Sequence, residues 1–236
     1  MINTWDSKRK LAIVEADDFM DRWDRNGLNF LFAWKAKYPN FKITLYTIPN
    51  RTSQRMLDLL MATHYDWIEL AIHGWDHESN YECWGWNYDR TKMFMERTLK
   101  EYTTPGGNPL YTKNFKAPGW MITGTQDGKG SGYIPAPTDL ISKDSQAVYK
   151  ALTDLDFMIC DRHYNKELRP ANTKIICIDC NPDIVHFHTW NVPSGDPNGR
   201  NGFQDIEERF GVPWDENTEF KFMSEAWQEN LFLPCK

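Results

Sequence analysis

The sequence lacks the features that mark membrane-spanning and nucleic-acid-binding proteins. No apolar run approaches the length of about 20 residues that a membrane-spanning helix needs. The formal net charge is -6 and the isoelectric point is near 5.5. Proteins that bind nucleic acid neutralise phosphates with clustered Lys and Arg, whereas the one basic cluster here is the short Lys8–Lys10. These absences predict no membrane segment and no nucleic-acid partner.

Cysteine is also scarce and shows no framework of regular spacing. The 5 cysteines are an odd number, whereas small secreted domains carry even sets that pair in disulfides. Cys177 and Cys180 have C-x-x-C spacing, but no second pair or nearby histidine completes a zinc site. We therefore interpret them as two buried thiols. The others are Cys83, Cys160 and Cys235.

An export signal is missing from the sequence as it stands. Met1–Lys10 has no apolar core of the kind that secretory signal peptides contain. We therefore expect an intracellular (cytoplasmic) protein, or a secreted one if a signal has been removed from this chain.

Tryptophan, by contrast, is abundant in a chain long enough to bury one large core. The 236 residues contain 11 tryptophans, several of which adjoin polar motifs. Flat aromatic rings offer large apolar faces that match the C–H faces of pyranose sugars, so this composition indicates a carbohydrate partner. Single α/β domains are routinely of this size, and we expect residues 1–236 to form one domain.

Short apolar runs alternate with helical periodicity along the chain, which predicts an α/β fold with a parallel sheet. The predicted strands are Leu11–Phe19, Lys42–Ile48, Ile68–Gly74, Phe115–Pro118, Phe157–Cys160, Lys174–Ile178 and Asp183–Trp190. The predicted helices are Asp21–Tyr38, Thr52 or Ser53 to His64, Asp89–Tyr102, Lys143–Leu155 and Phe220–Asn230. Two long irregular stretches, Thr103–Pro137 and Asn191–Asn217, are of a kind that is usually functional.

Two of the predicted strands end in groups that can bind a metal or transfer protons. His73 and His77 straddle Gly74, whose missing Cβ permits a tight turn that points both imidazoles at one ion. Asp17 and Asp18 end the first strand. Because the carboxyl ends of parallel strands open on the same side of a sheet, we expect these groups to meet. Two alternatives are that the histidines lie on the surface and that the carboxylates cap the next helix.

The last predicted strand carries two further histidines. His186 and His188 are two residues apart, so they share one face of the strand, about 6.6 Å from each other along it. His188 lies at the strand end, where the aspartates and the histidine pair also emerge, and is a candidate for proton transfer. His186 is equally consistent with a satisfied core histidine.

These motifs resemble those of the polysaccharide deacetylases of carbohydrate esterase family 4, the NodB-homology group, over most of the chain. Glu15–Phe19 reads E-A-D-D-F against that family's T-F-D-D-G, with Asp17 in the place of the catalytic base and Asp18 in that of a metal ligand. His73–His77 reads H-G-W-D-H against H-[S/T]-x-x-H, whose two histidines bind the metal. The related chitooligosaccharide deacetylases carry N-A-D-D-F-G, but the histidine spacing favours family 4.

The third motif of the family, R-x-P-x-[GW], is matched by Lys116–Trp120, which reads K-A-P-G-W and keeps Pro118. Lys116 stands in the place of the arginine, and a lysine cannot make the planar bidentate pair that orients the catalytic carboxylate. We expect an oxyanion contact from the backbone N–H of Gly119 or Trp120. The alternative is that Lys116 is a solvated loop residue.

The remaining motifs concern the end of the chain. His186–His188 matches L-x-H, with His188 as the general acid. His186 replaces the leucine that lines the pocket for the acetyl methyl group, and we assign it to pocket packing. Asp161, at the end of its strand, is the candidate for the fourth motif, and Trp75, inside the second motif, is a supporting candidate.

The resemblance implies a distorted (β/α) barrel of the NodB type with about seven mainly parallel strands. It also implies one divalent ion, zinc or another such as cobalt, held by Asp18, His73 and His77. With Asp17 as base and His188 as acid, the chain would remove acetyl groups from an N-acetylated sugar or glycan. Two alternatives stay open, a carbohydrate-binding protein without turnover and an inactive member of the same fold.

Overall fold

A computed structural model of the chain describes residues 10–21, 24–79, 82–122, 146–162, 169–188 and 214–233. Within these ranges the predicted alternation of strands and helices is confirmed. The strands are β1 (Leu11–Phe19), β2 (Ile43–Thr47), β3 (Ile68–His73), β4 (Asn114–Lys116), β5 (Met158–Asp161), β6 (Lys174–Cys177), β7 (Ile184–His188) and β8 (Glu219–Lys221). The α-helices are α1 (Asp24–Lys37), α2 (Gln54–His64), α3 (Tyr88–Glu101), α4 (Ala147–Asp154) and α5 (Met223–Gln228).

Local sequence signals explain where the helices begin and end. Ser53 caps α2, because its hydroxyl accepts a hydrogen bond from the N–H of Met56 at 3.2 Å. Asn87 caps α3 in the same way, because its side-chain oxygen accepts a hydrogen bond from the N–H of Arg90 at 2.8 Å. Helix α1 ends at Lys37, shortly before Pro39, and a proline disfavours the helical conformation in the residue that precedes it.

The eight strands belong to one sheet in the order β6-β5-β4-β3-β2-β1-β7, and β8 pairs with β1. The pairs β1–β2, β1–β7, β1–β8, β3–β4, β4–β5 and β5–β6 are all parallel, as expected for strands that are connected through helices. All nine residues of β1 are buried. Strands buried on both faces read as continuous apolar runs, which explains the clear signal of β1 in the sequence.

The C-terminal end differs from the sequence prediction. We predicted one helix over Phe220–Asn230, whereas Glu219–Lys221 is a strand and α5 begins only at Met223. Leu11–Ile13 of β1 lie opposite this strand in parallel register and pair with its backbone. A strand of three residues covers barely one repeat of the two-residue alternation, so it leaves no periodic signal in the sequence.

The chain divides into two compact units. The first contains residues 1–47, 51–70 and 181–233, and the second contains residues 48–50, 71–180 and 234–236. The first unit therefore includes β1, β2, β7 and β8 with helices α1, α2 and α5. The second includes β4, β5 and β6 with helices α3 and α4. The expectation of a single catalytic domain stays a prediction.

Aromatic rings form much of the core of the first unit. Trp34 of α1 is fully buried, and its ring centroid lies 5.4 Å from that of Phe41 and 4.9 Å from that of Trp214. Phe220 of β8 closes the group at 5.0 Å from Trp214. These rings meet edge to face, the arrangement that the aromatic quadrupole favours.

The two cysteines with C-x-x-C spacing lie at the end of β6 and in the turn that follows it. Cys177 is buried, as predicted, whereas Cys180 is half-buried. Their Sγ atoms are 3.2 Å apart, longer than a disulfide bond of about 2.05 Å, so the two thiols are reduced. Cys83 and Cys160 are buried, and Cys235 lies outside the described residues.

Residues 123–145 and 189–213, which include less than half of the first irregular stretch and most of the second, also lie outside the described residues. In the parts of the chain that the structure describes, no helix combines the length and the apolar character needed to cross a bilayer.

Glu69 of β3 is a buried carboxyl group in the first unit that accepts hydrogen bonds from two hydroxyls. Thr44 Oγ1 donates to it at 2.8 Å, and the hydroxyl of Ser224 donates to its other oxygen. The pKa of Glu69 is raised above its ordinary value, and burial of the carboxyl group is the largest cause. The folded state therefore favours the protonated form of Glu69.

We expect Glu69→Gln to change how stability depends on pH. The raised pKa stabilises the wild-type fold at low pH, and this contribution is lost as the pH rises from the ordinary pKa of glutamate through the raised pKa. Glutamine does not titrate, so the free energy of unfolding of the wild type should fall relative to that of the variant. Urea unfolding from about pH 4 to about pH 8 measures this difference. A difference that is independent of pH would contradict the expectation.

Candidate functional site

The parallel pairing of β1 with β7 places four ionisable side chains on one face of the first unit. Glu15 lies opposite His186, and Asp17 lies opposite His188. Alternate residues of a strand point to the same face, so both members of each pair share it. We call these four residues the β1–β7 cluster.

Contacts within the β1–β7 cluster are short. His186 Nδ1 lies 2.8 Å from Glu15 Oε1, and His186 Nε2 lies 3.9 Å from Asp17 Oδ2. The rings of His186 and His188 have their centroids 5.0 Å apart. The carboxylates are buried, with Glu15 at 0% and Asp17 at 2% exposure, whereas both histidines are half-buried. Buried carboxylates beside partly exposed imidazoles suit proton transfer to a bound molecule.

Sequence reasoning missed Glu15, whose Oε1 lies 2.8 Å from Nδ1 of His186. The signal was present, because Glu15 is the single charged residue within the apolar run Leu11–Ala16. A charged side chain in a buried strand almost always has a partner. His186, which we assigned to pocket packing, is that partner.

Asp18 lies at an irregularity of β1. The register between β1 and β2 shifts between Ala16 and Phe19, and Asp18 has a φ of 65°. A left-handed conformation costs a non-glycine residue on the order of 1–3 kcal/mol and recurs at functional sites, as do bulges that re-aim side chains. Asp17 and Asp18 lie inside β1, and α1 begins only at Asp24. The alternative in which they cap that helix is therefore wrong.

His73 and His77 belong to the second unit, where a turn follows β3. His73 is buried at the end of β3, and its Nδ1 lies 3.1 Å from the carbonyl oxygen of Lys116. When Nδ1–H donates to this carbonyl, Nε2 keeps its lone pair for a metal ion, as in most ligand histidines. The rings of His73 and His77 have their centroids 5.2 Å apart. The surface alternative is wrong for His73, and His77 is half-buried with a φ of 50°.

Glu82 shapes the turn between the two histidines. Its carboxylate accepts hydrogen bonds from the backbone N–H groups of Trp75, Asp76 and His77 at distances of 2.9 to 3.2 Å. Gly74 has a φ of +66°, and a Cβ at this position would lie 2.3 Å from Glu82 Oε2. The tight turn predicted at Gly74 is therefore present, and it depends on glycine. Sequence reasoning missed Glu82, which stands outside the family motif.

Lys116 ends β4 and is fully buried, so the alternative that it is a solvated loop residue is wrong. Its Nζ lies 4.5 Å from the centroid of the Trp120 ring, within the range of a cation–π contact. The guanidinium carbon of Arg162 lies 5.6 Å from the same ring. Two cations thus contact the half-buried Trp120.

The turn Pro118–Trp120 follows β4 and contains two left-handed residues. Gly119 has a φ of 58° and Trp120 a φ of 64°. The N–H of Trp120 donates to the carbonyl of Ala117 at 3.0 Å, which engages one of the two N–H groups that we considered for an oxyanion contact. Of the two, the N–H of Gly119 is therefore the candidate for the oxyanion contact.

Asp161 ends β5, and its buried carboxylate is engaged within the second unit. The hydroxyl of Tyr149 donates to Oδ2 at 2.7 Å, and Nε of Arg169 donates to the same oxygen at 3.1 Å. Burial and the neighbouring carboxylate raise the pKa of Tyr149 well above its usual value, so this phenol stays protonated. Sequence reasoning missed Arg169, because it belongs to no recognisable motif. Asp161 thus anchors a tyrosine and an arginine.

Two solved structures are similar to this chain over nearly its whole length. One is the Xyl-CE4 domain of a multidomain xylanase from the hindgut metagenome of Trinervitermes trinervoides, with a TM-score of 0.51 and 13% identity, covering 96% of this chain and 93% of that one. The other is a family 4 acetyl xylan esterase from Clostridium thermocellum in complex with a cobalt ion, with a TM-score of 0.52 and 14% identity, covering 96% and 94%. The fold is that of carbohydrate esterase family 4. No protein-family model matches the chain, and no curated protein matches it.

The family 4 fold confirms the predicted class, a distorted barrel of about seven mainly parallel strands. At 13% and 14% identity the two structures share the fold with this chain. A fold hosts many chemistries, so the activity has to be argued from the residues of this chain.

Most of the described tryptophans of this family 4 fold are core residues rather than sugar platforms. The buried ones are Trp34, Trp67, Trp75, Trp84, Trp86 and Trp214. Trp75, our supporting candidate, stacks on Phe94 with centroids 5.0 Å apart and planes 10° apart. The guanidinium carbon of Arg97 lies 4.8 Å from the ring of Trp75. Trp75 thus packs beneath the histidine turn, and Trp120 is the half-buried tryptophan beside the candidate residues.

We expect Gly74→Ala to disturb the histidine turn of the family 4 fold. The added Cβ would lie 2.3 Å from Glu82 Oε2 and 2.7 Å from Pro118 Cγ, so the turn has to move. The free energy of unfolding should fall by about 1–3 kcal/mol, and metal affinity should fall as well. Gly107→Ala is the matched control, because Gly107 also has a positive φ of +79° but a Cβ there meets no described atom within 4 Å. Equal losses of stability and metal affinity in both variants would contradict the expectation.

Proposed function

We propose that this protein is a metal-dependent hydrolase that removes acetyl groups from an amino sugar or an N-acetylated glycan. The observation that carries the proposal is the register of β1 against β7, which places Asp17 beside His188 at the strand ends. A base and an acid side by side are what the hydrolysis of an amide or ester requires. The two solved structures of the same fold are a domain of a xylanase and an acetyl xylan esterase, which supports the coarser statement that this chain hydrolyses acetyl groups.

Asp18, His73 and His77 are the residues that we propose as ligands of one divalent ion. The hydrogen-bond geometry of His73 fits this role, because its Nδ1 is 3.1 Å from a backbone carbonyl, and an Nδ1–H that donates to this carbonyl suits Nε2 to bind an ion. One carboxylate and two imidazoles leave open positions, as in catalytic zinc sites. Zinc and cobalt both suit this set, and one of the similar structures contains cobalt.

The ion would polarise the acetyl carbonyl and lower the pKa of a coordinated water, and the remaining steps belong to the side chains of this chain. Asp17 accepts the proton of the attacking water. The N–H of Gly119 donates to the carbonyl oxygen as it gains negative charge. His188 delivers a proton to the departing amine, so that acetate and a free amino sugar leave.

A screen for acetate release tests the proposed function. The purified protein is incubated with zinc or cobalt and with N-acetylated sugars, chitin and peptidoglycan fragments, and O-acetylated xylan. We expect release from at least one N-acetylated substrate, and none from the same substrates with the Asp17→Asn variant. Release from acetylated xylan alone would support a deacetylase but would show that it hydrolyses esters rather than amides. Release from none of these substrates would favour the inactive or carbohydrate-binding alternative.

A further inference from the structure

We propose that the β1–β7 cluster is a second site for a divalent cation, with Asp17, His186 and His188 as its ligands and Glu15 as the residue that orients His186. We further infer that an ion at this site inhibits turnover, an inference that rests on the proposed function because Asp17 and His188 are its base and acid. Its three ligands are not among the residues proposed above for the first ion, Asp18, His73 and His77.

Donor atoms already converge within the cluster. Asp17, His186 and His188 each offer one ligand atom, and these atoms all lie within 4.8 Å of one another. The convergence follows from strand register, because Asp17 is directly opposite His188 and His186 is two residues away on the same face. Both histidines are half-buried, so an ion from solvent can reach them.

Glu15 supplies the second observation. Its oxygen lies 2.8 Å from Nδ1 of His186, and the other ring nitrogen, Nε2, faces Asp17 Oδ2 at 3.9 Å. When Nδ1–H of an imidazole donates to such a carboxylate, the other nitrogen keeps its lone pair and becomes a better metal ligand. Glu15 is 0% exposed, so this orienting contact is built into the core of β1.

Turnover under the proposed function requires the second site to bind more weakly than the first. Donor atoms around a four-coordinate zinc ion lie about 3.5 Å apart, given bonds of about 2.0–2.2 Å. The ligand atoms of the cluster lie within 4.8 Å of one another, so they have to close by up to about 1 Å when the ion binds. An ion held by Asp17 and His188 also occupies the atoms that accept and deliver protons. Activity should consequently rise with the first equivalent of zinc and fall as the second binds.

Calorimetric titration of the metal-free full-length chain with zinc chloride tests the proposal without reference to turnover. We expect two equivalents for the wild type, one tight and one weak. Glu15→Gln should weaken the second equivalent by about 10- to 100-fold, the usual effect of removing a group that orients a ligand histidine. His186→Ala should abolish the second equivalent and leave the first. Glu69→Gln is the matched control, because Glu69 is a buried glutamate of β3 outside the cluster. This variant should bind both equivalents of zinc like the wild type.

The same variants separate this proposal from the proposed function. A single equivalent in the wild type, or a weak equivalent that is unchanged in both Glu15→Gln and His186→Ala, would overturn the second site. His77→Ala should lose the tight equivalent and keep the weak one. If His77→Ala instead titrates like the wild type, the proposed function loses its metal site, whereas the second site stands on the other two variants. With an active substrate in hand, the fall in activity should move to about 10- to 100-fold higher zinc in Glu15→Gln.

Discussion

His77→Ala should lose the tight metal equivalent and, with it, measurable turnover. His77 is one of three proposed ligands, and it lies on a turn that Gly74 and the carboxylate of Glu82 hold in place. Loss of a group that only orients a ligand weakens metal binding by about 10- to 100-fold, so loss of a ligand itself should exceed about 100-fold. Because the ion is proposed to activate water, turnover should disappear at zinc concentrations that saturate the wild type.

His64→Ala is the control for this experiment. His64 ends α2 and contacts the rings of Phe32 and Trp67 at 4.8 and 5.2 Å, so its loss removes an imidazole without removing a proposed ligand. His186→Ala is expected to remove the weak equivalent. Calorimetry of proteins that all carry His186→Ala therefore measures the tight equivalent alone. If His77→Ala retains this equivalent with wild-type affinity, the assignment of His77 as a ligand is wrong.

Asp17→Asn and His188→Ala should each lose most of kcat while they keep the tight metal equivalent. Removal of a general base or acid typically costs about 10² to 10⁴ in rate, and neither residue belongs to the proposed ligand set of the first ion. Asparagine preserves the shape of Asp17 beside His188 and removes its basicity. Steady-state kinetics on the substrate found in the acetate screen, together with zinc calorimetry, measure both properties.

His186→Ala separates the two histidines of β7. We expect its loss of kcat to be smaller than that of His188→Ala, because His186 interacts with Glu15 and acts on Asp17 only from 3.9 Å. Glu15→Gln should resemble His186→Ala rather than His188→Ala, since both disrupt the same pair. A larger loss from His186→Ala than from His188→Ala would reverse the roles of the two residues.

The elements with strong periodicity could be predicted from the sequence. Strand β1 was found with its observed bounds, because nine buried residues leave a long apolar run. Residue type narrowed the cap of α2 to Thr52 or Ser53, and the structure shows that it is Ser53. By contrast, β8 is a strand because β1 pairs with it, and a three-residue element has too little pattern of its own to reveal a partner more than half the chain away.

The candidate site was predictable where its residues lie at strand ends. Asp17, His73 and His188 each lie at or near the carboxyl end of a strand, and the apolar run of that strand marks their position in the sequence. Glu82 and Arg169 could not be found in this way. Each acts through a hydrogen bond to a group on another segment, the N–H of His77 for Glu82 and the carboxylate of Asp161 for Arg169, and such contacts depend on loop conformation rather than on periodicity.

The register of β1 against β7 also bears on how the chain folds. A slip of one residue turns every side chain of a strand to the opposite face. Such a slip in β7 would turn Phe187 away from the ring of Trp34, 5.7 Å from it in the native core, and would drive His186 and His188 into that apolar layer. Because β1 and β7 lie far apart in the sequence, we expect their pairing to form slowly. The carboxylates and imidazoles that serve chemistry in the finished protein therefore also penalise misaligned pairings while it forms.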